Sequence, residues 1–219
     1  MSEPDFLGRL LARIPERVGR IAGLVFFLGV IAWRIKLYQN PGYWKPLWVV
    51  ETAIFVLIAF AYLLRSPARE RASRWTEIVL PLIGSSLPFA LVLFHDGPRL
   101  AIDEEFGVPL ALGLMIAGST LSLVSYAFLG GSFSIFVEAR SLRAGGPYRY
   151  VRHPVYVGQA IATLGILVAW WYPVNFAIET AFIAIQVARA VLEERKLMHA
   201  SPDYAAYRAK TWMFIPFVV

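Results

Sequence analysis

Residues 145–156 read Gly145-Gly146-Pro147-Tyr148-Arg149-Tyr150-Val151-Arg152-His153-Pro154-Val155-Tyr156. Two apolar runs follow, over 155–172 and 174–192, and the second ends in Glu193-Glu194. Each run is long enough to cross, or nearly cross, a bilayer core as a helix. Only Tyr172-Pro173 separates them, so they must form an antiparallel hairpin. Antiparallel pairing returns the end of the second run to the start of the first. A dense polar cluster therefore sits at the mouth of an apolar helix pair. Charged groups at such a depth cost several kcal/mol unless they are paired or functional.

The same pattern extends outward. The chain has 219 residues, 58% of them hydrophobic and only 16% charged, far from the balance of an ordinary soluble domain. Four earlier apolar spans fall at about 19–38, 47–64, 75–94 and 108–130. These predict an all-α, polytopic membrane helix bundle of about six transmembrane helices, forming one membrane domain over 1–219. Pro81 and Pro88 predict a kink in the third span. Phe6, Leu7, Leu10, Leu11, Ile14 and Val18 recur at helical spacing among Arg9, Arg13, Arg17 and Arg20. That spacing predicts a basic amphipathic helix over 1–18, lying on the membrane surface and bent near Pro15, rather than a cleavable signal.

Basic residues give the orientation. Sixteen lie in segments 1–20, 65–74, 131–154 and the tail after 194, against four on the other side. The positive-inside rule places both termini and the polar cluster in the cytoplasm, with the acidic loop of Asp96, Asp103, Glu104 and Glu105 outside. The net charge of +6 is spread over short clusters between spans, a pattern of headgroup contact and not of nucleic-acid binding. With no cysteine, disulfides and thiolate chemistry are excluded. His95 and His199 lack metal-ligand spacing with His153, so no metal is expected.

Four segments converge in this topology: Gly130–Ser134 with Glu138-Ala139-Arg140, the loop 145–150, Arg152–Tyr156, and the end of the last span with Gln186, Arg189, Glu193 and Glu194. Spacings of three, four and seven put Gln186, Arg189 and Glu193 on one helix face. Arginine forks clamp carboxylates, glutamate holds ammonium or ribose hydroxyls, and aromatic faces receive a purine or a cation. The set suits a zwitterionic, aromatic small molecule. The residues alone reach a polar ligand site at the cytoplasmic leaflet and no specific cofactor. Bland readings stand beside this one. Arg189 snorkels or pairs with Glu193, Glu138 and Arg140 form an interfacial ion pair, and Tyr148 and Tyr150 belong to an aromatic belt.

The run from about Phe128 to Pro216 resembles the integral-membrane isoprenylcysteine carboxyl methyltransferase and phospholipid methyltransferase superfamily. Its matching elements are residues 146–156, Glu193-Glu194, the tail residues Tyr204, Tyr207, Trp212 and Ile215-Pro216, and Glu138-Ala139-Arg140. The resemblance implies a catalytic core over 128–219 that binds S-adenosylmethionine between the last helices and the C-terminal segment. A lipophilic acceptor, a carboxylate or a lipid amine, would enter from the bilayer. It implies cofactor contacts from His153, Tyr156, Tyr148, Arg152, Gln186, Glu193 and Glu194. Arg189, Glu138 and Arg140 would act nearer the acceptor. A transporter or channel using the Arg and Glu cluster, or a sterol-type NADPH reductase, are the competing readings. The chain contains no Gly-x-Gly, which leaves a Rossmann-type site unsupported.

Overall fold

A computed structural model describes residues 5–38, 45–93 and 104–217. Its main elements among the described residues are helices: α1 (Phe6–Arg13), α2 (Glu16–Leu37), α3 (Lys45–Leu63), α4 (Thr76–Leu93), α5 (Glu104–Leu129), α6 (Pro154–Ala169), α7 (Pro173–Ala200) and α8 (Tyr204–Arg208). Every expected span is a helix. Three, within α2, α5 and α7, are long and apolar enough to cross a membrane by length and composition. The other three apolar stretches, Trp48–Leu63, Thr76–Leu91 and Pro154–Ala169, are shorter. Sixteen residues reach about 24 Å, somewhat less than the hydrocarbon core. Isoleucine, valine, phenylalanine and tryptophan side chains along α2 face outward (Ile21, Val25, Phe26, Trp33), the surface that acyl chains solvate. Asp96, Asp103 and His95 lie outside the described residues.

Boundaries differ where local chemistry overrides hydropathy. The surface helix expected over 1–18 stops at Arg13, because Pro15 removes an N–H and forces the preceding residue out of helical geometry. Val18 therefore belongs to α2. Helix α1 rests on the 65–74 loop: a Cβ at Gly8 would lie 2.0 Å from Ser73 O, and Asp5 accepts the backbone N–H groups of Gly8 and Trp75. Helix α4 runs unbroken through Pro81 and Pro88. Pro81 has no N–H to give Glu77 O, and Val137 N–H takes that carbonyl instead at 3.0 Å. Helix α7 runs to Ala200 and not to 192, because Glu193–Ala200 are good helix formers and Pro202 is the next breaker.

Helices α5 and α6 pack at backbone distance. A Cβ on Gly118 would meet Ala162 N at 2.3 Å and Gly158 O at 2.4 Å. Small residues at these positions let two helices approach in a medium that gives no hydrophobic drive between them. Helix α2 packs on α3, α4 on α7, and α3 on α5. The main apolar cluster (Phe27, Ile58, Ala59, Tyr62, Tyr126, Phe133, Val155) lies where α2, α3, α5 and α6 meet. Tyr126, Phe133 and Val155 also line the site above it.

Candidate active site

Pro154 is the first residue of α6, where a missing N–H costs nothing because the helix leaves that group unpaired anyway. His153 occupies the cap position without making a side-chain cap bond. Its ring turns instead toward the end of α7. Nε2 lies 3.3 Å from Glu194 Oε1, and Nδ1 lies 3.8 Å from Glu193 Oε2. One imidazole thus stands between two neighbouring carboxylates, and it is only 7% exposed. Its ring is parallel to Tyr156, with centroids 5.4 Å apart, and Phe214 of the tail closes another side.

Tyr156 is held at its ring and at its hydroxyl. The Arg189 guanidinium lies 5.1 Å from its ring, and its hydroxyl donates to Glu193. Arg189 donates to Gln186 Oε1 at 3.1 Å and to Ile135 O at 3.1 Å, and stands 4.0 Å from Glu193. Gln186 donates to Gln159 Oε1, and Gln159 to the Tyr126 hydroxyl at 3.2 Å. The chain of contacts runs from α5 through α6 to α7 and fixes the Arg189 side chain inside the bundle.

These groups surround a cavity of about 160 Å³. Of the residues singled out in the sequence, Glu138, Arg140, Tyr148, Arg152, His153, Tyr156, Arg189 and Glu193 line it. Gln186 and Glu194 stand just behind, Gln186 on Arg189 and Glu194 on His153. The structure brings the whole set together but assigns it unequal work. Arg152 donates to Glu194 at 2.6 Å and to the carbonyls of Arg208 and Thr211, so it ties the tail to α7. Glu138 is braced by Arg65 at 2.8 Å and Arg140 at 2.7 Å, with Ser134 at 2.9 Å.

The tail is the other wall. Residues 212–213 run alongside 150–153, with Trp212 N–H donating to Tyr150 O and the N–H groups of Arg152 and His153 returning to Trp212 O and Met213 O. Tyr204 and Tyr207 turn inward. Tyr204 is 1% exposed, and the Tyr207 hydroxyl donates to Tyr148 O at 2.7 Å. Burial pushes the phenols of Tyr148 and Tyr204 up, and that of Tyr207 up to about 12, so all three stay neutral. Gly146 has φ +57, and a Cβ there would lie 2.6 Å from the Phe128 ring, so this turn requires glycine.

Sequence reasoning missed Arg65, Gln159, Tyr126 and Ser85. Arg65 was counted only as a loop charge, and Gln159 only as part of an apolar span. Their partners are far away in the chain, and periodicity carries no signal of them. Away from the cavity, Glu179, Glu77 and Glu51 pair with Thr163 at 2.9 Å, Lys196 at 2.9 Å and Arg34 at 2.8 Å.

Residues 106–201 match the family model of phospholipid methyltransferases. The chain is 27% identical over 227 residues to a methanethiol S-methyltransferase from a Pseudomonas species, covering 88% of this chain and 83% of that protein. It is 30% identical over 152 residues to the cobalt-zinc-cadmium resistance protein CzcN of Cupriavidus metallidurans, covering 68% of this chain and 64% of that protein. The chain thus spans just under two thirds of the latter relative's length. The family match and the first of these relatives support methyl transfer at a membrane, and the apolar helices make this an integral membrane protein.

Proposed function

We propose, from the premise that the C-terminal half of the chain carries the phospholipid methyltransferase superfamily's pattern, that it transfers a methyl group from S-adenosylmethionine to a lipophilic acceptor reaching the cavity from the bilayer. One observation carries the proposal that a polar ligand completes this cavity. Tyr204 Oη, Arg189 Nε and Arg140 Nε are buried without a protein partner, and all three belong to residues that line it. Leaving a buried donor unpaired costs about 1–3 kcal/mol each, so three at one cavity favour a ligand that offers acceptors.

The donor set fits the proposed cofactor. Glu193 and the aromatic faces of Tyr148 and Tyr156 offer a carboxylate and π-clouds to a cation, and Arg189 and Tyr204 offer donors to a carboxylate or a purine nitrogen. When bound, S-adenosylmethionine supplies an electrophilic methyl group on a sulfonium centre. The chain's part is to bind, align and keep water out. Four guanidiniums (Arg140, Arg143, Arg152, Arg189) line the cavity against two carboxylates (Glu138, Glu193). That imbalance favours an acceptor that arrives as an anion, a carboxylate or thiolate, over a cationic amine. An anionic nucleophile needs no general base. We place the site at the cytoplasmic face, on the distribution of Lys and Arg. All these charges gather at one end of the helices rather than at the middle, which disfavours a transport path.

The test incubates purified protein with methyl-labelled S-adenosylmethionine and native lipid extract, with a small thiol in a parallel arm because one relative is named for methanethiol. Mass spectrometry identifies labelled products. His153→Ala and Glu193→Ala each abolish labelling while the fold is retained. Full labelling in both variants removes the site assignment, and no labelled product in any arm removes the function.

A further inference from the structure

Beside the cavity lies a buried cation that plays no part in it. Lys196 sits near the end of α7 and is 4% exposed. Its ammonium lies 2.9 Å from Glu77 Oε2 and 3.7 Å from Glu70 Oε1, and donates to Arg71 O at 2.6 Å. Glu77 opens α4, and Glu70 and Arg71 belong to the loop after α3. One side chain of α7 thus gathers two elements that share no sequence neighbourhood with it.

Both of those elements hold the same short segment by its backbone. The carbonyl of Glu77, vacant because Pro81 cannot donate to it, accepts Val137 N–H at 3.0 Å. Glu70 and Ala139 exchange hydrogen bonds, Ala139 N–H to Glu70 O at 2.9 Å and Glu70 N–H to Ala139 O at 3.2 Å. Between these clamps lies Glu138, and Arg140 follows. Both line the cavity. Val137 and Ala139 are fully buried, so the segment has little freedom other than the position of its clamps. The four-carbon stem of a lysine ends in a compact charge, and burying it demands several partners, which here are the clamps themselves.

We propose that Lys196 is a positioning residue: it sets the Glu138–Arg140 wall of the cavity in register with the Arg189–Glu193 wall carried by its own helix. This rests on the methyl-transfer reading for its kinetic consequence and on geometry alone for its structural one. Arg189 and Glu193 lie seven and three residues before Lys196 in α7, so a rigid helix links the two. Displacing a reacting wall by about 1 Å costs on the order of 100-fold in rate. Glu70, Glu77 and Arg71, the polar partners that hold the Lys196 ammonium, do not line the cavity, so cofactor affinity, which depends on the other wall and the tail, is spared.

Two measurements on the full chain in detergent test this. The first is amide hydrogen exchange in Lys196→Met: exchange rises in peptides covering 133–142 and stays as in the parent over 145–160. The second is kinetics: Lys196→Met lowers kcat about 10- to 100-fold, S-adenosylmethionine binding stays within about threefold, and Lys196→Arg recovers most of the rate. If Lys196→Met does not fold, the exchanged pair Lys196→Glu with Glu77→Lys replaces it and must restore protection of 133–142. Unchanged exchange in 133–142 overturns the proposal. So does a rate loss matched by an equal loss of cofactor binding. Absence of methyl transfer in the parent protein overturns the functional reading alone, since the exchange result stands without it.

Discussion

Removing the Glu194 carboxylate tests how the site is held. Glu194 accepts from Arg152 at 2.6 Å, lies 3.3 Å from His153 Nε2 and 3.4 Å from Arg208 Nε, and its side chain is 7% exposed. Arg152 is equally enclosed, at 7%. In Glu194→Ala the guanidinium of Arg152 stays buried without its counter-charge. Breaking one partner of a buried pair costs about 3–5 kcal/mol, chiefly because of the charge left behind. For a chain of this size each kcal/mol moves Tm by about 2–4 °C, so the expected fall is roughly 6–20 °C. Intrinsic tryptophan fluorescence of the purified protein in detergent follows the transition. Arg152→Met should cost a similar amount. The double variant should cost clearly less than the two together, with a coupling of about 0.5–3 kcal/mol. A Tm change under about 2 °C in Glu194→Ala, or simple additivity in the cycle, refutes the reasoning that this pair ties the tail to α7.

Gly118→Leu forces a side chain into backbone atoms 2.3 and 2.4 Å away, which cannot yield as side chains do, and should cost at least ~1–3 kcal/mol. Gly113→Leu, at a position with nothing within 4 Å, is the matched control; equal thermal stability of the two variants would contradict the α5–α6 packing described above. Tyr204→Phe removes a buried hydroxyl that has no protein partner. It should leave the free protein's Tm unchanged or slightly higher and weaken S-adenosylmethionine binding by about 0.5–1.5 kcal/mol, roughly 2- to 12-fold, read by calorimetric titration. The backbone N–H groups of Gly8 and Trp75 hold the Asp5 carboxyl below its usual range. A depressed folded value means that its contribution is complete above the ordinary carboxylate range and is lost as pH falls through the folded value. Acidification should therefore release α1 from the 65–74 loop, and Asp5→Asn should remove that pH dependence of exchange in residues 5–14. An unchanged acid profile in the variant would show that Asp5 is not the latch.

Six helices, their order and the closing hairpin were legible in the chain because lipid leaves the backbone no partner but itself. A run of apolar residues of sufficient length can satisfy its N–H and C=O groups only as a helix. The meeting of His153 with Glu193 and Glu194 was legible for a related reason. A two-residue connection admits only an antiparallel return, and helical rise then fixes which residues share a depth. What could not be read is which charges work and which brace. Arg65, Arg140 and Arg152 look alike in sequence. Their jobs follow from partners 73, 74 and 42 positions away, at Glu138, Ser66 and Glu194. Hydropathy also ended the last helix at its first charged pair, although Glu193 to Ala200 continue it, because a charge reports contact with water or a partner and says nothing of the backbone. The inward turn of Tyr204 and the hold of Lys196 on α4 and the 65–74 loop arise only once the helices are packed. Burial of a polar atom is decided by everything around it at once, and no periodicity along a single strand of residues encodes that.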